Sequence, residues 1–210
     1  MTLVLPVFMD GEATPRFFTA ARGHHADIGG ISPGSMPSFS STIEEEGILF
    51  HAFRVRRDGI FGEAELMARL TKGPYPARNP TQNRADILAQ LAACETGAQN
   101  IRNMYAEFGG DTVNAYVGFV QDNAEENVRQ VIDRLHDASF GVDMDCGAII
   151  RVTLTVDRAA RCLNVDFTGT SAQMDNNFNA PSAVCRAAVL YVFRCMVDAD
   201  IPMNEGCLKP

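Results

Sequence analysis

The sequence lacks two of the short motifs that mark common nucleotide-binding folds. It contains no Walker A sequence and no GxGxxG pattern, so neither a P-loop nor a Rossmann dinucleotide site is supported. Any nucleotide that this protein uses must therefore bind at a site other than a P-loop or a Rossmann site.

Basic clusters, long apolar runs and paired cysteines are also missing. The formal charge is −8 and the pI is near 5.0. An acidic chain without a basic cluster is not expected to bind nucleic acid or an anionic membrane surface. No apolar run approaches the roughly 20 residues of a membrane span. The six cysteines form no CxxC pair, so we expect reduced thiols in a cytoplasmic protein without a disulfide framework.

What remains is an ordinary globular composition. Hydrophobic residues make up 46% of the 210 positions, which is enough for a packed core. The sequence opens on an apolar run and closes directly after an apparent turn, whereas natural domains usually end in polar, loosely held residues. We therefore expect residues 1–210 to be an internal piece of one larger domain, truncated at both ends.

Residues 22–30 are the most informative segment of the chain. They place two imidazoles and a carboxylate within four positions and follow them with paired glycines. Imidazole nitrogen and carboxylate oxygen are common ligands of zinc, manganese and iron. Adjacent side chains of an extended segment point to opposite sides, so His25 shares a face with Asp27 and not with His24. We predict that one histidine ligates or reacts while its neighbour packs; the alternative is a tight turn with a solvated histidine pair.

Hydrophobic patterns predict an α+β fold with mixed sheet hairpins. Apolar runs at 2–8 and 15–21 predict a hairpin that leads into the histidine pair. Further strands are predicted at 48–56, 149–156 and 162–167, and shorter helices at 63–70 and 180–196.

Two long helices are predicted in the middle of the chain. Apolar residues recur every three or four positions from Ile87 to Phe108 and again from Val113 to Leu135. Gly109 is a good C-cap for the first helix, and Asp111 can cap the start of the second. The tight connection predicts a long antiparallel helix pair whose apolar stripes belong to the core.

Two polar clusters could carry chemistry, and each has a plainer explanation. Asn79, Asn83, Asp86 and Gln90 surround the start of the first long helix, the last three nearly on one face. Polar residues at such a position usually cap the helix or face water. Asp166 precedes three hydroxyl residues at a strand end, which could bind a polar substrate, but the motif is weak by itself.

Seven ordered segments carry a family resemblance. They are 22–30, 33–37, 45–47, 78–79 with Asn83, Asp86, Ala89 and Gln90, then 166–170, 179–181 and 200–207. Together they resemble the hydantoinase B/5-oxoprolinase family over essentially the whole chain, and within it the C-terminal half of ATP-dependent 5-oxoprolinases.

The resemblance implies part of an ATP-dependent enzyme that hydrolyses cyclic amides. A hydantoinase A-like partner, fused or separate, would bind ATP and Mg²⁺ and phosphorylate the substrate carbonyl oxygen, and the B part would complete ring opening. The implied reaction converts 5-oxoproline to glutamate. The alternatives are an N-methylhydantoinase, an acetone or acetophenone carboxylase-type subunit, and a non-catalytic scaffold segment that docks the ATP-binding partner. We further expect an oligomer.

The resemblance also implies site residues. By spacing, His24 matches a histidine that binds a divalent metal (zinc, manganese or iron) in metal-dependent relatives, with His25 in reserve. His25 and Asp27 are expected to act in catalysis, Asp27 by orienting an imidazole. Asn79, Asp86 and Asp166 are expected to line a polar substrate pocket. A chain that holds one metal ligand should bind metal poorly, so we expect the isolated 210 residues to be inactive.

Overall fold

The computed structural model describes residues 1–34 and 37–210 and divides them into two compact units. One unit comprises residues 1–108 and 175–178, and the other comprises residues 109–174 and 179–210. Each contains helices and an antiparallel hairpin, which confirms the α+β prediction. Within the described residues, no helix is both long and apolar enough to cross a membrane. Ser35 and Met36 of the motif at 33–37 lie outside the described residues.

A β-hairpin packed on a long helix forms the centre of the first unit. β1 (Thr2–Val7) pairs antiparallel with β2 (Phe17–Arg22), which confirms the predicted first hairpin. The elements that follow are α1 (Ile43–Glu46), β3 (Arg56–Arg57), β4 (Ile60–Phe61), α2 (Glu63–Thr71) and α3 (Pro80–Phe108). α3 packs against β1, β2 and α2.

The bounds of α3 follow from its terminal residues. The side-chain oxygen of Asn79 accepts a hydrogen bond from the backbone N–H of Gln82 at 3.2 Å, and Pro80 occupies the first helical position, where no N–H is needed. The helix ends before Gly109, whose φ of 80° suits glycine. The buried apolar residues of α3 lie on the predicted stripe: Ile87, Leu91, Cys94 and Ala98.

The predicted strand at 48–56 is wrong. Within that range only Arg56 is in a strand, and it pairs with Phe61. The apolar residues before it instead pack, without regular structure, on a core that contains Leu66 and Leu70. Their hydrophobicity therefore reflects burial and not strand formation, an ambiguity inherent in short apolar runs.

The second unit combines two helices with a three-stranded sheet. Its elements are α4 (Gly110–Ile132), β5 (Ala138–Asp143), β6 (Ile149–Asp157), β7 (Cys162–Asp166), α5 (Ser182–Met196) and a 3-10 helix (Glu205–Leu208). The predicted hairpin of β6 and β7 is confirmed. A core of α4 and α5 residues includes Val128, Ile132 and Phe193.

Two details of this unit differ from the predictions. Gly109, not Asp111, is the N-cap of α4. Asp111 lies in the first helical turn, where its carboxylate interacts favourably with the positive end of the helix dipole. The sequence also gave no signal for β5, whose six residues are all exposed and include Gly141. Backbone pairing with β6 stabilises this strand, although its own residues do not favour one.

Each long helix has part of its apolar stripe buried within its own unit. α3 packs on the hairpin and α2, and α4 packs on α5, β7 and the 3-10 helix. The prediction that the stripes belong to the core is therefore confirmed only for part of each stripe, because Phe108, Val117 and Val120 are exposed. The antiparallel pairing of the two helices stays a prediction.

Two glycines of the second unit provide a matched test of its packing. A Cβ at Gly206 would overlap the carbonyl oxygen of Gln121 in α4, whereas a Cβ at Gly118 would meet nothing within 4 Å. We expect Gly206→Ala to destabilise the full-length protein by roughly 2–3 kcal/mol. Gly118→Ala, in a helix interior, should be neutral or stabilise it by up to about 1 kcal/mol. Chemical denaturation measures both, and equal effects would contradict the packing described.

Candidate functional site

The extended segment that follows β2 has one solvent-exposed side and one side that packs against α3. Exposure alternates along β2 and beyond it, so that Arg22 and His24 are exposed whereas His25 is buried against α3. This is the alternation that an extended chain imposes on successive side chains. The structure therefore supports the prediction that one histidine packs, and it identifies His25 as that residue.

α3 holds His25 through two polar side chains. Nδ1 of His25 lies 3.3 Å from Oδ2 of Asp86 and 3.5 Å from Nδ2 of Asn83. Asn83, which is 2% exposed, also donates from Nδ2 to the backbone carbonyl of Asp27 at 2.7 Å. A carboxylate acceptor favours the tautomer with hydrogen on Nδ1, which leaves a lone pair on Nε2.

A third residue of α3, Gln90, fastens the end of the hairpin. Its Nε2 donates to the carbonyls of Met1 and Ala21, each at 3.1 Å, which fixes the orientation of the amide. Gly23 makes room for it, because a Cβ there would lie 3.0 Å from the same Nε2. Oε1 of Gln90 and Nε2 of His25 are buried without a hydrogen-bond partner in the described part of the chain.

Burial sets the protonation of His25. It lowers the pKa of the imidazole below its usual value because a charged ring would lose its hydration. The nearby carboxylate of Asp86 and the side chain of Gln90 act in the opposite direction but offset only part of that effect. His25 is thus held as a neutral ring at neutral pH.

Asp27 contacts Arg78 and the turn at Gly29 rather than a histidine. Its carboxylate pairs with the guanidinium of Arg78 at 2.7 Å and accepts the backbone N–H of Gly29 at 3.0 Å. Burial raises the pKa of this carboxyl, but the hydrogen bonds from Arg78 and Gly29 outweigh burial and lower it. Asp86, and not Asp27, is the carboxylate beside the His25 imidazole, and a catalytic role for Asp27 stays a prediction.

The paired glycines serve the backbone. Gly29 and Gly30 have φ of 88° and 89°, and a Cβ at Gly29 would overlap the carbonyl oxygen of Tyr75. A Cβ at Gly30 would lie 2.7 Å from the carbonyl oxygen of Glu45. The backbone at Tyr75 and at Glu45 passes too close to these positions for a side chain. This packing accounts for both glycines without a bound ligand.

Three other sequence motifs also have structural roles. Asn79 caps α3 and does not line the groove described below. Asp166 lies in the second unit, where hydrogen bonds from the side chain and backbone of Thr168 lower the pKa of its carboxyl. Residues 30–34 spell GxSxG, but Ser32 lies in a turn that follows a loop, so the geometry of a hydrolase nucleophile elbow is not formed.

A groove of about 1340 Å³ runs along the hairpin in the first unit. Its walls come from β1, from residues 46–58 and from parts of α2 and α3, and they include His24, His25 and Gln90. Among the two histidines, His24 carries the more exposed ring. A ligand in the groove can therefore reach His24 directly.

Sequence reasoning assigned no definite role at this site to Asn83, Gln90 and Arg78. Asn83 and Gln90 lie three before and four after Asp86, so their helical spacing groups them, but capping or solvent exposure explained them equally well. Arg78 belongs to a family motif without an assigned role. Only the fold shows that all four surround the segment at 23–30.

The contact of Asn83 predicts a stability effect. Asn83→Ala would remove a buried side chain and leave the partly buried carbonyl of Asp27 without its donor, so we expect a loss of about 2 kcal/mol in the free energy of unfolding of the full-length protein. Asn103→Ala, an exposed position on the same helix, should cost less than about 0.5 kcal/mol. Denaturation curves test this, and similar losses at both positions would speak against a buried hydrogen bond at Asn83.

Comparison with known proteins matches this chain over its whole length. The model of the family Hydantoinase B/oxoprolinase matches residues 1–210. The chain is 40% identical over 235 residues to 5-oxoprolinase 1 of Arabidopsis thaliana and 38% identical over 222 residues to 5-oxoprolinase of Dictyostelium discoideum. It is covered completely in both, and it spans 18% and 17% of those relatives.

A solved structure shows the same fold. The ATP-dependent caprolactamase from Pseudomonas jessenii superposes with a TM-score of 0.80 at 21% identity, over 99% of this chain and 36% of that one. The family match along the complete sequence and the identities of 38–40% lead to one conclusion: the chain belongs to the hydantoinase B/oxoprolinase family.

Proposed function

We propose that this chain forms part of an ATP-dependent cyclic-amide hydrolase that opens 5-oxoproline to glutamate. The observation that carries the proposal is the 40% identity to a 5-oxoprolinase across all of these residues. Because the chain spans 18% of that relative, the proposal concerns a larger protein in which an ATP-binding hydantoinase A-like domain or subunit acts with this one.

The chemistry explains why ATP would be coupled to ring opening. A lactam C–N bond has partial double-bond character, so its carbonyl is a poor electrophile for water. Phosphorylation of the carbonyl oxygen by the partner would give an imidate phosphate, whose former carbonyl carbon is a better electrophile. The task of this chain would then be to bind that species and to position water for attack at the former carbonyl carbon. The ring C–N bond would break as the nitrogen takes up a proton and leaves as the amine of an acyl phosphate, and a second water would release glutamate and phosphate.

His24 is the residue that we assign to the reacting centre. Its ring is exposed to the groove, and the segment that carries it is held by His25, Asn83 and Gln90. A fixed segment with a free imidazole is what a ligand or a proton-transfer group requires. A catalytic role for His25 itself stays a prediction, and its burial favours a positioning role through Asp86.

A divalent metal fits this chain only in part. Among residues 1–34 and 37–210, no three His, Cys, Asp or Glu side chains come together in a group that could hold a metal ion. His24 offers one imidazole, and further ligands would come from outside this sequence. Such a metal would polarise the substrate carbonyl or lower the pKa of an attacking water.

Replacement of single histidines tests the assignment. In the full-length enzyme with its ATP-binding part, we expect His24→Ala to lower lactam-dependent ATP hydrolysis roughly 100-fold and to reduce bound metal. His51→Ala is the matched control, because His51 is exposed in the same unit but does not line the groove. Activity would be measured as glutamate release, and metal by elemental analysis.

The remaining outcomes separate the alternatives. If His25→Gln and not His24→Ala removes the metal, the two histidines have exchanged roles and the assignment of His24 is wrong. An enzyme that contains no metal and is indifferent to both substitutions would favour the scaffold function. Turnover of N-methylhydantoin but not of 5-oxoproline would favour an N-methylhydantoinase.

A further inference from the structure

The groove differs in charge from the chain as a whole. The protein carries a formal charge of −8, yet the charged residues of the groove wall, apart from histidine, are four arginines and two carboxylates. They are Arg22, Arg54, Arg56, Arg57, Glu46 and Asp58. Those arginines of the wall that have no carboxylate partner can bind a ligand of the opposite charge.

Two of these arginines lie beside carboxylates outside the groove wall, and the other two do not. Arg56 forms an ion pair with Glu95, and Arg57 lies 4.0 Å from a carboxylate oxygen of Glu65. Arg22 and Arg54 are exposed, and neither has a carboxylate partner in the described part of the chain. Their guanidinium groups remain available to a ligand.

Arg22 occupies a special position among them. It is the last residue of β2 and stands two residues before His24, on the same exposed side of the segment. Two positions along an extended chain are about 7 Å apart, so one small ring with a charged substituent can reach both side chains. Gln90 fixes the hairpin just behind this pair, through the carbonyl of Ala21.

We propose that Arg22 binds an anionic group of the substrate while His24 faces the reacting carbonyl. The inference rests on the proposed function and adds a specificity determinant to it. 5-Oxoproline carries a ring carboxylate, and its activated form carries a phosphoryl group as well. A guanidinium binds either oxyanion through two parallel N–H···O bonds.

The test compares two lactams with the same ring in the full-length enzyme: 5-oxoproline and its uncharged carboxamide. If Arg22 binds the carboxylate, Arg22→Gln should lower kcat/KM for 5-oxoproline roughly 10- to 100-fold, mainly through KM, and leave the carboxamide unchanged. Arg22→Lys should restore part of the preference because the charge is kept. If Arg22 binds the phosphoryl group, both substrates should lose kcat by the same factor.

Arg102→Gln is the control, because Arg102 is an exposed arginine of α3 that does not line the groove. The inference would be overturned if Arg22→Gln changed neither kcat nor the ratio of kcat/KM for 5-oxoproline to kcat/KM for the carboxamide. So would a wild-type enzyme that does not distinguish the two lactams and is insensitive to Arg22→Gln. A wild-type enzyme that opens neither lactam would refute the proposed function, which is a separate result.

Discussion

The arrangement of the candidate site depends on the buried polar contact between α3 and the segment that follows β2. Asn83 donates to the backbone of Asp27, and Gln90 donates to the backbone of Ala21, so the helix grips the chain on both sides of the histidine pair. Buried polar groups are costly unless they are paired. Any shift of this segment would break these bonds, and for that reason the direction in which His24 points is set by the helix.

The same contact divides the segment into an inner and an outer face with different chemistry. His25 is buried beside Asp86 as a neutral ring, whereas Arg22 and His24, which also line the groove, are exposed. A buried ring and an exposed ring can be neighbours here because extended backbone alternates its side chains. The two histidines of the motif therefore lie in different environments, one buried and one exposed.

Several conspicuous motifs turn out to shape the backbone. The Asp27 carboxylate ties Arg78 to the turn at Gly29, and the glycines of this turn admit two crossing segments. Asp166 closes a turn with Thr168. Polar residues at turns satisfy local N–H groups as readily as they bind ligands, so residue type alone does not separate these roles.

The sequence by itself determined the elements with strong periodicity: the first hairpin, both long helices, the second hairpin and the placement of the histidine pair just past a strand. These signals are local, because they arise from side-chain spacing and caps such as Asn79. Only the tertiary structure decided that Asp86 rather than Asp27 contacts the imidazole, that residues 48–55 pack without forming a strand, and that β5 exists. Those outcomes depend on contacts between residues far apart in sequence, which no local pattern encodes.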